Sequence, residues 1–323
     1  MRRYRLFGEV IGFEGELWAP STSERPTLTV AVDTEPPQVD WGQLVESHVM
    51  RGVDQKEAAF RFFDSAERVV IRVVGSMDVH ICDHEIVFHL IKPDHEFLVE
   101  ILLAGMVLAV WFERRGRLTL HGAASDLDGN GVGFLAAGGM GKSSLVTFLM
   151  TEGAPLISED LLVIGGTEVA PTVAPGLGQL RLWPEQAARV VENWQALHQP
   201  HPGYSKRRAR VGLGGVGSLS DGPVPLRRLY VLRRLVSTDG KPEILPLPPA
   251  FAVEALLSNS YLPEVSASFG WHARRLGQLV GLLSSVDIAV LRYPTGVDHL
   301  PAVRELIQQD LGGRQRSAAL STT

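Results

Sequence analysis

Residues 136–143, which read Ala-Ala-Gly-Gly-Met-Gly-Lys-Ser, restrict the fold of this chain more than any other segment. They follow an apolar run at residues 132–136, which predicts a strand, and precede residues 142–152, whose apolar spacing predicts a helix. In such a turn the backbone N–H groups at the start of the helix converge and favour a bound phosphate. The segment matches the pattern G-x-x-x-x-G-K-[ST] except that Ala136 replaces the first glycine. We expect a P-loop, since alanine is the smallest substitute.

The loop motif gives each of its residues a task. Its glycines let the backbone wrap around a polyphosphate, while Lys142 contacts the β- and γ-phosphates and Ser143 ligates Mg²⁺. The alternative is an ordinary glycine-rich turn before an amphipathic helix, with Lys142 solvated. The motif instead predicts ATP and Mg²⁺ as ligands, held by Gly138, Gly139, Met140, Gly141, Lys142, Ser143 and Ser144.

Composition and charge exclude several classes of partner. The 323 residues carry a net charge of −5, with 45% hydrophobic and 21% charged residues, which is ordinary for a globular chain. No global positive field would draw the chain to nucleic acid or acidic lipid, so neither nucleic acid nor a membrane is an expected partner. The apolar run at residues 101–112 is shorter than the ~20 residues that cross a bilayer and predicts a buried helix. With no signal-peptide core and one cysteine, Cys82, we expect a cytoplasmic protein.

The first part of the chain has the pattern of strands and turns. Short β-branched runs at residues 28–32 and 69–74 predict strands, and Pro36-Pro37, Gly75-Ser76 and residues 82–85 predict breaks or turns between strands. We therefore expect a small β-rich N-terminal domain at residues 1–94. A helix is predicted over residues 96–115, ended by Gly116.

The rest of the chain alternates between strand and helix patterns. Strands are predicted at residues 118–124, 155–158, 230–232 and 288–291, with a turn at 126–131, and helices at 249–258 and 300–311. Residues 198–225 are rich in glycine, proline and basic residues, which predicts a loop excursion. The tail at residues 314–323 is predicted to be disordered.

Three segments together resemble the kinase core of bacterial HPr kinase/phosphorylase and its relatives. Residues 120–124 contain His-Gly, residues 132–143 contain the glycine loop, and residues 153–160 form a predicted strand ending in Glu159-Asp160. The resemblance covers roughly residues 96–181 well and implies an α/β fold with an HPr-kinase-like P-loop kinase core, a mixed β-sheet with helices. That core would occupy residues 95–313.

The resemblance also implies a division of labour among the site residues. Glu159 matches the general base of the family, and Asp160 matches its partner carboxylate near the histidine and the metal. The family usually has Asp-Asp here, so Glu159 is one methylene longer. His121 matches the family histidine that pairs with a carboxylate, which suits proton transfer. The implied catalytic residues are His121, Lys142, Glu159 and Asp160, and the implied metal ligands are Ser143 and Asp160.

Two further segments extend the candidate site. Residues 178–182 resemble a later Glu-Ile-Arg segment of the family, with Gln179 in place of a metal-side glutamate and Arg181 as a phosphate or substrate contact. Residues 206–210, Lys-Arg-Arg-Ala-Arg, form a concentrated basic loop. This loop could fold over ATP phosphates through Lys206 or bind an acidic peptide. The alternative for such a run of charge is a solvated face.

Other segments resemble a subgroup of HPr-kinase-related proteins, several of which phosphorylate a precursor serine during the biosynthesis of lasso peptides and other ribosomal peptides. These segments are residues 4–8, 103–109 and 224–230. The resemblance implies a serine kinase that acts on a peptide or small protein. The alternatives are an HPr-type kinase/phosphorylase or nucleotide hydrolase, and a nucleotide-dependent peptide-binding module without phosphotransfer. HPr kinase/phosphorylase is a hexamer, which raises the question of a homo-oligomer here.

Overall fold

The computed structural model describes residues 1–35, 41–51, 58–199, 205–212, 214–236 and 240–321. Within these ranges the chain forms seventeen strands in three sheets together with eight α-helices. The protein therefore has the mixed α/β fold that the sequence predicts. The predicted break at Pro36-Pro37 lies outside the described residues.

Eight strands between residues 2 and 90 form one sheet in the order β1-β2-β3-β8-β7-β6-β5-β4. The predicted strands at residues 28–32 and 69–74 are confirmed, as are the turns at Gly75-Ser76 and residues 82–85. The strands are β1 Arg2–Leu6, β2 Glu9–Phe13, β3 Leu28–Asp33, β4 Val45–Arg51, β5 Ala58–Asp64, β6 Val69–Val73, β7 Met77–Ile81 and β8 Glu85–Leu90, with a 3-10 turn at Trp41–Gln43.

One long apolar helical segment, Pro93–Arg114, follows this sheet. It begins with a 3-10 turn at Pro93–His95, continues as α1 (Phe97–Leu102), passes through a π-helical turn at Leu103–Val107, and ends as α2 (Leu108–Arg114). At 22 residues it is long and apolar enough to cross a membrane by length and composition alone, and 61% of its most apolar window is buried in the structure. Trp111 and Phe112 are fully buried in the same cluster as the first sheet. The prediction of a buried helix is confirmed, although the segment is longer than the apolar run suggests.

The remaining chain forms a seven-stranded sheet in the order β10-β9-β11-β12-β15-β17-β16, in which β10 also pairs with β15, and a two-stranded sheet of β13 and β14. The strands are β9 Leu118–Leu127, β10 Asn130–Leu135, β11 Leu156–Gly166, β12 Pro171–Val173, β13 Gln179–Leu182, β14 Arg207–Arg210, β15 Val224–Leu235, β16 Glu243–Pro246 and β17 Asp287–Pro294. The helices are α3 Lys142–Thr151, α4 Pro184–Val190, α5 Pro249–Ser258, α6 Pro263–Ser268, α7 His272–Leu283 and α8 Leu300–Ser321, with 3-10 turns at Trp194–Ala196 and Val297–His299.

Helices cover both faces of the seven-stranded sheet, and the alternation of side chains along β15 shows how. Tyr230 and Leu232 pack in a cluster with residues of α3 and α8. Leu229 and Val231 pack in a second cluster with residues of α5 and α7. Because successive side chains of a strand point to opposite faces, the apolar centre of this strand, residues 229–232, is buried on both sides. The arrangement fixes the start of α3 at one end of the sheet.

Two structural predictions are wrong. Residues 207–210 form the strand β14, which pairs antiparallel with β13, instead of lying in the basic loop and loop excursion that the sequence suggests; residues 200–204 and 213 of that excursion lie outside the described residues. The backbone from residue 314 is helical to Ser321, where the sequence predicts a disordered tail. Arginine, glutamine, alanine and leucine in this segment all favour a helix, and no proline interrupts it.

A buried ion pair joins α2 to α7 and offers a test of this packing. Glu113 Oε1 lies 3.0 Å from Arg275 Nη2, with side-chain exposures of 4% and 3%, and it also accepts bonds from the backbone and hydroxyl of Thr119. Glu113→Ala should lower the free energy of unfolding by about 3–5 kcal/mol, because Arg275 is left buried without its counter-charge. Urea unfolding monitored by circular dichroism measures this loss.

The exposed pair between Glu152 and Arg304 provides the control for that measurement. Its atoms lie 3.1 Å apart, but the two side chains are 41% and 33% exposed. Glu152→Ala should therefore change the free energy of unfolding by no more than about 1 kcal/mol. Equal losses in the two variants would show that burial of the Glu113 pair does not matter.

Candidate active site

The glycine loop connects the end of β10 to the first residue of α3. Gly139 and Gly141 have positive φ angles of 79° and 100°, a conformation that favours glycine. A Cβ at Gly141 would also lie 2.9 Å from Tyr293 Oη, whereas one at Gly138 or Gly139 would meet nothing within 4 Å. These two glycines therefore border open space, as a backbone cradle for a phosphate requires. Ala136, the departure from the motif, has no positive φ and is buried before the loop turns.

Lys142 is the first residue of α3 and has only 9% of its surface exposed. Its ammonium group donates to the carbonyl of Ala136 and lies 3.2 Å from His121 Nε2. Burial lowers the pKa of Lys142, and the nearby charges of Asp160 and Glu159 oppose that shift. The lysine is thus a cation close to both predicted acids.

Glu159 and Asp160 lie within β11, not at the end of a strand as the sequence suggests. This strand pairs with β9, and the register places Asp160 opposite Gly122 and Leu161 opposite His121. Asp160 has a φ of 75°, which is rare for a residue other than glycine and least costly for aspartate and asparagine. The register also shifts between Leu156 and Ser158. These irregularities allow the two consecutive carboxylates to line one cavity.

Asp160 is the centre of a compact set of polar contacts. Its Oδ1 lies 3.4 Å from His121 Nδ1, and its Oδ2 accepts a hydrogen bond of 3.0 Å from Arg181 Nη2. The hydroxyl of Tyr261 lies 3.4 Å from the same Oδ2. Burial raises the pKa of Asp160, but the charges of Arg181, His121 and Lys142 together lower it by more. The net pKa is therefore below the ordinary value. Asp160 is therefore ionised at neutral pH.

Glu159 has the opposite electrostatic balance. Its Oε2 accepts a 2.8 Å hydrogen bond from the backbone N–H of Arg181, and it lines the cavity together with Ser143. Burial raises the pKa of Glu159 above the ordinary value even though Ser143 and Arg181 counteract it. Two adjacent carboxylates with pKa values shifted in opposite directions suit different tasks, one as a fixed charge and the other as a proton acceptor.

His121 lies between the lysine and the ionised aspartate. Burial lowers its pKa, Asp160 raises it, and Lys142 adds to the lowering, so the net pKa is below the ordinary value. A neutral imidazole can donate from Nδ1 to Asp160 and accept at Nε2 from Lys142, which matches the two contacts. His121 thus joins the glycine loop to β11.

All these groups open into one cavity of about 310 Å³. Of the residues predicted for the site, only Met140 does not line it. The lining residues are His121, Ala137, Gly138, Gly139, Gly141, Lys142, Ser143, Ser144, Glu159, Asp160, Arg181, Trp183, Gln186, Lys206 and Arg234.

Three lining residues and one neighbour escape the sequence analysis. Trp183 is 48% exposed at the edge of the cavity, and Lys206 Nζ lies 5.5 Å from its ring centroid. Gln186 donates to Ser144 Oγ and accepts from the backbone of Trp183. The dipeptide Trp-Pro followed by Gln186 is a helix-start signal that could have placed these residues beside α3. Arg234 and Tyr261 carry no local signal.

The basic residues 206–210 do not all lie at the cavity, and neither does Gln179. Lys206 faces the cavity, but Arg208 forms a bidentate ion pair with Glu100 of α1 and donates to Gln179 Oε1 at 3.0 Å. Gln179 does not line the cavity. Gln179, which stands where the family has a metal-side glutamate, thus bonds Arg208 in this chain.

The side chains present fit a magnesium–nucleotide complex. Within the described ranges no group of three or more histidine, cysteine, aspartate or glutamate side chains could hold a metal by itself. Mg²⁺ in nucleotide sites needs only one or two carboxylates because phosphate oxygens and water complete its shell. Asp160 and the Ser143 hydroxyl supply such donors. The cations Lys142, Arg181 and Lys206 around the same cavity suit the phosphates.

Comparison with known proteins adds little to this geometry. No protein-family model matches the chain, and no curated protein matches it either. Among solved structures, the chain is similar to the Hpr(Ser) kinase/phosphatase from Coxiella burnetii, with 11% sequence identity and a TM-score of 0.35. The match covers 62% of this chain and 97% of that one. A TM-score at this level supports no conclusion about activity.

The contact between His121 and Asp160 predicts a change in titration. Because Asp160 raises the pKa of His121, Asp160→Asn should lower that pKa further, and asparagine tolerates the left-handed backbone at this position. The His121 imidazole would then lose its proton at a lower pH than in the parent protein. Titration of the imidazole signals by NMR measures the shift. An unchanged or higher pKa would mean that the two groups are not coupled in solution.

Proposed function

We propose that this protein is an ATP- and Mg²⁺-dependent kinase that transfers the γ-phosphate to a serine hydroxyl of a peptide or small protein. One observation supports the proposal above the others. Glu159 lines the same cavity as Lys142 and Ser143, and Ser143 holds the metal-binding position of the glycine-loop motif. A group able to accept a proton therefore lies in the cavity of the predicted metal site.

The chain's own residues have tasks that follow from charge and position. Backbone N–H groups of the loop and the ammonium of Lys142 bind the phosphates, and Arg181 and Lys206 add positive charge on the same cavity. The oxygen of the substrate serine forms a new bond to the γ-phosphorus while the bond from that phosphorus to the β-phosphate oxygen breaks. Glu159 accepts the proton that the serine hydroxyl releases. Bound Mg²⁺ neutralises charge on the phosphates. Asp160 remains ionised and orients His121.

For the acceptor we propose a serine of a ribosomally made precursor peptide of the lasso type. This part rests on the sequence resemblance of residues 103–109 and 224–230 to kinases of such peptides. The two rival functions predict different products from the same assay. A nucleotide hydrolase would release phosphate without a modified peptide, and a binding module would bind ATP without turnover.

Lys142→Ala tests the proposed phosphate contact. Transfer of labelled γ-phosphate to an acceptor peptide should fall about 100- to 1000-fold, the usual cost of removing one strong electrostatic contact to the transition state. Lys241→Ala, at an exposed lysine that does not line the cavity, should keep the parent rate. Parent-level transfer by the Lys142 variant would rule out the proposed mechanism, provided that its circular dichroism spectrum is unchanged.

Glu159→Gln tests the proton acceptor. The amide keeps the shape of the side chain but cannot take a proton, so kcat should fall about 10²- to 10⁴-fold while nucleotide affinity changes little. Since burial raises the pKa of Glu159, the parent activity should decline on acidification at a higher pH than an ordinary glutamate would impose. The variant's residual activity should lack this acid limb. A pH–rate profile that is identical in the two proteins would assign the base to another residue.

A further inference from the structure

The π-helical turn at Leu103–Val107 contains Gly105, which lies against the candidate site. A Cβ on this residue would lie 2.6 Å from Tyr261 Oη and 3.4 Å from Asp160 Oδ2. The first distance is shorter than real Cβ contacts, so only glycine lets the helix and the tyrosine hydroxyl approach in this way. A π-helical turn is rare and is frequently found at functional sites. The backbone of the apolar helix thus lies close to the side chains of Asp160 and Tyr261.

Tyr261 is held firmly in the space that Gly105 leaves. Its backbone N–H donates to Thr119 O at 3.2 Å, and its carbonyl accepts from Arg275 Nη2 at 3.0 Å. Its ring stands edge-on to the imidazole of His121, with centroids 5.8 Å apart. The anchored main chain and the ring contact with His121 place the hydroxyl between Gly105 and Asp160.

The contacts of Asp160 divide between its two oxygens. Arg181 and Tyr261 both approach Oδ2, while Oδ1 faces His121. Two groups fixed on one oxygen set the rotation of the carboxylate and therefore aim the other oxygen at the imidazole. The positive φ of Asp160 makes such support necessary, because a strained backbone persists only where its surroundings fix it.

We propose that Tyr261, seated against Gly105, is a positioning residue that orients Asp160 toward His121. Tyr261 itself touches no reacting atom in this scheme. Gly105 lies in residues 103–109, and its role is to leave room for the hydroxyl. The kinetic part of the test rests on the proposed kinase function, whereas the spectroscopic part needs no activity at all.

Tyr261→Phe removes only the hydroxyl. In the phosphotransfer assay kcat should fall about tenfold, the scale of one hydrogen bond to a charged group, while the KM for ATP stays within twofold of the parent value. Tyr230→Phe is the matched control, because the Tyr230 hydroxyl also bonds a carboxylate, that of Asp310, at 2.7 Å, but Asp310 does not line the cavity, whereas Asp160 does. That variant should keep the parent kcat.

The ring nitrogens of His121 give the readout that is independent of activity. At fixed neutral pH, NMR nitrogen chemical shifts show which nitrogen carries the proton. In the parent protein the proton should lie on Nδ1, facing Asp160, and in Tyr261→Phe the two tautomers should become mixed. A purely structural role for Tyr261 would leave the Nδ1-protonated form intact. If the tautomers mix but no phosphotransfer is found even in the parent protein, the positioning role stands and the kinase proposal fails.

Gly105→Ala tests whether the space beside Gly105 is needed for the Tyr261 hydroxyl. The double variant Gly105→Ala/Tyr261→Phe distinguishes a clash with that hydroxyl from a general loss of stability. The new methyl should displace the Tyr261 hydroxyl, so kcat should fall about as much as in Tyr261→Phe. In the Tyr261→Phe background the same substitution should have little further effect, because the methyl would then lie 3.7 Å from the nearest ring carbon, Cζ. Gly277→Ala, on α7 with nothing within 4 Å of its Cβ, is the control. Multiplicative losses in the double variant, or an unchanged tautomer in Tyr261→Phe, would overturn the proposal.

Discussion

Strands β9 and β11 run antiparallel, and their register sets Leu161 opposite His121 and Asp160 opposite Gly122. Every charged contact of the candidate site depends on this pairing. Strand β9 continues through a tight hairpin into β10, and β10 ends in the glycine loop, so the backbone that places His121 also places Lys142. The 3.2 Å contact between these two side chains is a direct result. A shift of β11 by one residue would turn its carboxylates to the other face of the sheet.

The same geometry explains how two adjacent acids acquire opposite properties. Both lie in a cavity where burial favours the neutral form. Asp160 has a guanidinium group bonded to one oxygen and an imidazole beside the other, and these overcome the cost of burial. Glu159 accepts a hydrogen bond from the backbone N–H of Arg181 and bonds no guanidinium directly, so the effect of burial prevails and its pKa rises. The opposite pKa shifts therefore follow from the side-chain bond of Arg181 to Asp160, which Glu159 lacks.

Local sequence patterns predict much of this site because several of its parts are close in the chain. The sequence pattern of residues 132–152 predicts a strand, a glycine loop and a helix. His121 precedes this segment in the chain and the two acids follow it closely. Tyr261 lies 101 residues beyond Asp160, and nothing near it in sequence announces the contact. The basic run at residues 206–210 shows the reverse failure. Its composition suggests a loop, but residues 207–210 form a strand that pairs with β13, and Arg208 forms an ion pair with the partly buried Glu100. Neither partner is local.

Residues 93–114 are apolar because the helix that they form packs between the two large sheets. One hydrophobic cluster contains residues of the first sheet, of this helix, and of β11, including Leu161, the residue directly after Asp160. A helix packed between two sheets must be apolar around most of its circumference, so a composition that resembles a membrane span arises from burial in protein. The helix also contacts β14 through the ion pair of Glu100 with Arg208, and it approaches the site through Gly105 at Tyr261. Packing of the first sheet against this helix therefore helps to hold the carboxylate of Asp160 in place. Any change that loosens this packing should alter the position of that carboxylate before the rest of the fold is lost.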